Sequence, residues 1–165
     1  MKTIGRFVMG TAALAAWAGF AAGSLQEHAR ESGLDWMIGK WGDEASLGEV
    51  IKVSYAWEVG GHAVSMRYSS PERQGTGLIV KDTENDAVRM VAVDSEGGLS
   101  KGVWTIEDSH PVLRADYRSP EGETRSVTMI YQKVDEKKVK LRIFDGGAGL
   151  TGDPELEVTL VKLSS

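Results

Sequence analysis

The sequence predicts an all-β fold, an antiparallel up-and-down barrel of about ten strands preceded by one short helix. Three observations carry that expectation. Beyond Ile38 the apolar residues recur with a period of two almost to the C-terminus. Turn-rich segments punctuate the alternation at regular intervals. The connections are too short for parallel neighbours, and a long meander of hairpins removes its exposed edges by closing on itself.

The chain opens with Lys2 and Arg6, followed by an apolar or small-residue run from Phe7 to Ala22, with Gly19 and Ala21 as a small-x-small pair. This is the pattern of a secretory signal peptide. The run is shorter and richer in Ala and Gly than a stable membrane span requires. The expected organisation is therefore a signal peptide over residues 1–21, removed on export, and one domain over residues 22–165, periplasmic or secreted. No membrane association is expected after cleavage. No cysteine is present, so lipid anchoring, disulfides, thiolate metal sites and cysteine nucleophiles are ruled out. The formal net charge is −5 and becomes more negative once Lys2 and Arg6 are removed, which disfavours nucleic acid as a partner.

In "SLQEHARESG", Ser24 and Glu27 form a capping box and Gly33 supplies a C-terminal stop, so a helix is expected over about 25–32. A first short strand follows at Ile38–Gly42. In "EVIKVSYAWEVGGHAVSMRYSS", Ile51, Val53, Tyr55, Trp57 and Val59 alternate with polar or small residues, and Gly60-Gly61 suits a two-residue hairpin turn. Counting from that turn pairs Val59 with His62, Trp57 with Val64, Tyr55 with Met66 and Val53 with Tyr68. A slip of one residue would turn the apolar set outward, so the register is well specified. Further strands are expected near 75–82, 87–94, 99–107, 111–118, 124–133, 138–145 and 155–163. Val127, Met129 and Tyr131 can face Val139, Leu141 and Ile143 across a loop at Asp135–Lys137.

Between the last two strands, Gly147 to Gly152 reads formally as G-x-G-x-x-G. A dinucleotide fingerprint needs a helix after the glycines to hold the pyrophosphate. Here Asp153-Pro154 and the alternating "ELEVTLVKL" follow instead, so the segment is read as a flexible connection or a movable barrel rim.

"LDWMIGKW", Leu34 to Trp41, resembles the entry of lipocalin-like (calycin) barrels, which carry G-x-W on the first strand just after a short helical turn. The order of strands resembles small bacterial domains of unknown function in that superfamily, with a distantly nitrobindin-like architecture. The resemblance implies that Trp41 packs across the closed end of the barrel. Nitrobindin-like barrels hold haem through a histidine on a late strand. No histidine follows His110 here, so no haem is expected, and no other cofactor.

Candidate site residues follow from the predicted inward face. Tyr55, Trp57, Met66, Tyr68, Tyr117, Met129 and Tyr131 share it, and in one reading they fill a core. A dry core favours Leu, Ile and Val over tyrosines whose hydroxyls need partners, so the alternative is a cavity for a small apolar or amphipathic molecule. His62 shares their face by register and lies at a strand end. There it would orient a ligand carboxylate or act as a base, or else point to solvent beside its turn. His28, His62 and His110 have no metal-ligand spacing, so no metal site is expected. No catalytic constellation is identifiable. The resulting expectation is an exported small-molecule-binding barrel. The alternatives are an enzyme of isomerase or decarboxylase type using the same cavity, and a filled structural barrel.

Overall fold

A computed structural model describes residues 23–146 and 152–164; the expected signal peptide over residues 1–21 and most of the glycine loop lie outside the described residues. Ten antiparallel strands form one closed barrel: β1 Gly39–Asp43, β2 Lys52–Glu58, β3 Ala63–Ser69, β4 Gln74–Asp82, β5 Ala87–Asp94, β6 Leu99–Glu107, β7 His110–Arg118, β8 Thr124–Asp135, β9 Lys138–Asp145 and β10 Leu156–Lys162. Each strand pairs with its neighbour in sequence, and β1 pairs with β10 to complete the ring. The closed antiparallel barrel is compatible with a calycin-like fold.

Helix α1, Leu25–Glu31, begins with the capping box: Glu27 N–H donates to Ser24 Oγ at 3.2 Å, and Ser24 N–H to Glu27 Oε2 at 2.8 Å. It ends where Gly33 takes φ +66°, with Gly33 N–H bonded to Arg30 O and Leu34 N–H to Ala29 O. That pair of bonds satisfies two orphan carbonyls of the last turn. The chain then makes a short 3₁₀ turn at Asp35–Met37 and enters β1.

The β2–β3 register is the one expected: Trp57 faces Val64, Tyr55 faces Met66 and Val53 faces Tyr68. The turn differs. Pairing stops at Glu58 and Ala63, and residues 59–61 form a 3₁₀ turn instead of a two-residue loop. Val59 takes φ 49° and is 76% exposed, so it leaves the inward row. Gly60 and Gly61 take the positive φ expected of the turn, +63° and +86°, and a Cβ on Gly61 would meet the Gln26 side chain of α1 at 2.7 Å, so α1 packs closely against the turn. The β8–β9 connection also departs slightly from expectation, because the register shifts between Lys133 and Asp135. Tyr131 still faces Leu141 and Met129 faces Ile143.

Inside the barrel the walls differ in side-chain size. Gly75, Gly77, Ala92, Gly102 and Ala115 occupy inward positions on β4–β7, while Met66, Leu113, Tyr131 and Leu141 supply the bulk. Alternating small and large residues is how a small barrel fits its taper. Trp41 on β1 is 3% exposed and meets Trp36 edge to face at 6.1 Å. Its Nε1 donates to Met37 O at 2.9 Å, tying the 3₁₀ turn down onto the core. A second small cluster, Val112, Ile130 and Phe144, lies on the outward face of β7–β9, where the Arg142 guanidinium sits over the Phe144 ring.

Candidate functional site

One end of the barrel is rimmed by α1, the segment Leu34–Ile38, and the turns that follow β2, β4 and β6. A cavity of about 340 Å³ opens there. Its barrel wall comes from Tyr55 and Trp57 on β2, Val64 on β3, Ile79 on β4, Val88 on β5 and Trp104 on β6. Leu25 and Ala29 of α1 and Met37 of the 3₁₀ turn complete the lining from the helical side. Period-two alternation aims the strand residues inward. The Schellman end of α1 and the Trp41–Met37 bond fix the helical cover above them.

The floor is closed by a pair of phenols. Tyr55 and Tyr131 hydroxyls are 2.9 Å apart, and both residues are buried. Burial raises the Tyr55 phenol well above its ordinary value, and the neighbouring Tyr131 adds to the rise. Burial also raises Tyr131, partly offset by its hydrogen bond with Tyr55. Both phenols are therefore neutral at physiological pH. Beneath them the interior is packed: the void bounded by Trp36, Trp41, Tyr55, Tyr131, Val139 and Leu160 is only about 10 Å³, too small to be a useful site. The barrel is hollow at this end and filled directly beneath the phenols, and a second, more open hollow of about 560 Å³ lies toward the other end, lined by Trp41, Val53, Tyr68, Gly75 and Asp94 among others.

Polar groups on the cavity wall are few. The Tyr55 hydroxyl is engaged with Tyr131. Thr105, at the rim, donates to Glu107 at 2.8 Å. His28 and Asp86 are the ionisable lining residues, both exposed at the mouth. Trp104 Nε1 is buried and has no hydrogen-bond partner among the described residues.

The eight residues singled out from sequence do not form one constellation. Tyr55 and Trp57 line the cavity, and Tyr131 stands behind Tyr55. Met66 and Met129 pack deeper in the core. Tyr68 and Tyr117 lie at the opposite end of the barrel, beside Asp94 and Arg73. There the Arg73 guanidinium is 5.3 Å from the Tyr117 ring centre, and Gly98 leaves room for the Tyr117 hydroxyl. His62 ends the 3₁₀ turn after β2 with an exposed side chain, outside the cavity. Its expected place on the inward face is corrected: strand pairing ends at Ala63, and the side chain is exposed.

Sequence reasoning passed over Trp104, Ile79 and Val88 on the barrel wall. The alternation of Gly102, Trp104 and Ile106 marks Trp104 as inward, so that signal was present. Leu25, Ala29 and Met37 had no such signal, because helical periodicity does not reveal which barrel end a helix covers. No group of three His, Cys, Asp or Glu side chains among the described residues is placed to hold a metal ion. No protein-family model and no curated protein matches the chain.

Proposed function

We propose that this chain is an exported, calycin-like barrel that binds one small apolar molecule in the cavity beneath α1. The single observation that carries the reading is that cavity. At about 340 Å³ it exceeds the ~300 Å³ at which ligand pockets begin, and its wall is almost entirely apolar and aromatic. The G-x-W entry at Gly39–Trp41 and the secretory character of residues 1–21 support the remaining parts of the reading.

The chemistry of the wall narrows the ligand. Among the described residues no Lys or Arg lines the cavity, and His28 and Asp86 both stand exposed at its mouth, so a carboxylate drawn inside would lie without a counter-charge beside it. Apolar rather than acidic guests are the better fit. Catalysis in the same cavity would be favoured by an inward His62 bonded to a tyrosine or carboxylate, and its side chain is exposed instead.

Titration with ethylbenzene, followed by tryptophan emission and by calorimetry, tests the reading. A saturable response with roughly micromolar affinity is expected, since ordering costs offset much of the apolar gain. Val88→Trp, which fills the cavity, should remove it. Absence of saturable binding for ethylbenzene and for alkanes of similar size would replace this reading with a filled barrel.

A further inference from the structure

The second hollow, about 560 Å³, differs in character from the first. Its lining comes from consecutive residues of β1 to β5, so exposed residues of the outer face alternate in it with core residues such as Trp41 and Val53. Three of the exposed ones are cations, Lys40, Lys52 and Arg67. The strand register brings them together. Lys40 and Arg67 are the direct cross-strand partners of Ser54, one on each side, and Lys52 stands two residues before Ser54 on the same face. A strand spacing of about 4.8 Å and a same-face step of about 6.7 Å root all three within ~10 Å of one another. None of them has an ion-pair partner among the described residues, and neither does the Ser54 hydroxyl have a hydrogen-bond partner there. Elsewhere the chain answers its cations, as with Arg73 and Glu96, Arg114 and Glu107, or Lys138 and Glu44. It carries 24 Asp and Glu against 19 Lys and Arg, so three unanswered cations around one hydroxyl are not the by-product of a basic surface. Among the described residues the one acid of this hollow is Asp94, which is 3% exposed and already held by Gly98 and Glu96 N–H and by Arg73.

We propose that Lys40, Lys52, Ser54 and Arg67 form a second binding site, on the outer face of β1–β3, for the phosphate group of a phosphate monoester. Such a group carries a charge of about −1.5 to −2 at neutral pH and three strong acceptor oxygens. Three cations and a hydroxyl match that charge and oxygen count, whereas a carboxylate would leave part of the cluster unanswered. The planar Arg67 guanidinium can grip two phosphate oxygens at once, and the two lysines add point charges on flexible stems. The hollow extends past the cluster to Gln74, Val93 and Ser95, which leaves room for the organic part of the ester. It shares no lining residue with the apolar cavity beneath α1, so the two sites are independent.

The test titrates glycerol 3-phosphate by calorimetry at low ionic strength, with glycerol and acetate as controls. Saturable binding that weakens with added salt is expected for the ester alone. Lys40→Gln, Lys52→Gln and Arg67→Gln should each weaken it about three- to fivefold, the range of one exposed charge contact, and the triple variant should abolish it. Arg67→Lys should recover part of the loss, because it restores the charge without the fork. Lys101→Gln removes an exposed cation of β6 outside the hollow and should change affinity by less than about 1.5-fold. In the native protein the ester should shift the amide resonances of Ser54 and Arg67 and leave those of Ile79 and Trp104 in place, a readout that needs no variant. Sedimentation with phosphatidylcholine vesicles, with and without phosphatidic acid, separates the two sources of such a group. Retention by phosphatidic acid that the triple variant loses identifies a lipid headgroup; protein left in the supernatant while glycerol 3-phosphate binds identifies a soluble ester. The site is overturned if neither glycerol 3-phosphate nor phosphatidic acid binds, if acetate binds as tightly as the ester, or if Lys101→Gln weakens binding as much as Arg67→Gln. The triple variant should bind ethylbenzene as the native protein does, so failure of this site leaves the cavity reading standing.

Discussion

The phenol oxygens of Tyr55 on β2 and Tyr131 on β8 lie 2.9 Å apart inside the barrel, with their rings edge to face at 6.5 Å between centres. The pair joins opposite parts of the ring of strands and separates the cavity above from the packed core below. Removing one hydroxyl strands the other, so Tyr55→Phe or Tyr131→Phe alone should cost ~1–3 kcal/mol. The double variant should cost less than the sum of the two, and chemical denaturation around the cycle measures the difference.

The same phenols set the alkaline limit. All four tyrosines have raised values, mainly through burial. A group whose folded value exceeds its unfolded one stabilises the fold fully below the unfolded value, about 10 for tyrosine, and loses that contribution as pH rises through the folded one. Phenolate absorbance should therefore stay low near pH ~10 and rise above it together with loss of the folded circular dichroism signal. Four independent titrations near the ordinary value, with the fold intact, would contradict the buried placement.

At the opposite end, the Asp94 side chain is 3% exposed. Burial pushes its carboxyl upward, but N–H bonds from Gly98 at 2.7 Å and Glu96 at 3.0 Å, with Arg73 at 3.4 Å, outweigh that and hold it below the usual range. Its contribution is present above the unfolded value, about 4, and is lost as pH falls through the depressed one. Asp94→Asn should reduce stability at neutral pH and flatten the acid limb of the stability profile, as read by melting temperature against pH.

Trp41 couples the first strand to the 3₁₀ turn that helps cover the cavity. Trp41→Ala should cost ~3–5 kcal/mol, as large aromatic deletions in cores do. Trp41→Phe should retain most of the packing and lose the bond to Met37 O, costing about 1 kcal/mol. An unchanged melting temperature for Trp41→Ala would remove the plug role implied by the calycin resemblance.

Export is expected to leave a mature N-terminus near Ala22 or Ser24, with the protein in the soluble osmotic-shock fraction. Intact-mass measurement of that fraction checks it, and full-length chain in washed membranes would oppose it.

The strand order and nearly all of the register were legible because alternation and turn chemistry are local. Glu58 and Ala63 close the β2–β3 hairpin in the register counted from Gly60-Gly61. His62 was misplaced because ladder pairing ends at Ala63 and Val59 itself takes a positive φ, a widening of the turn that the glycine pair alone does not encode. Tyr68 and Tyr117 share inward parity with Tyr55 yet sit at the other end. Height along the barrel depends on how the strands stagger, which the alternation within one strand does not contain. Hollow and filled barrels also share one alternation, so the cavity above Tyr55 had to be seen in three dimensions.

The most direct measurement of the central claim is a crystal structure of the protein soaked with bromobenzene, located by the anomalous signal of bromine. One guest is expected between Trp57, Ile79 and Trp104, above the Tyr55–Tyr131 pair. A cavity closed by its own side chains, or bromine found only on the outer face of the barrel, would contradict it.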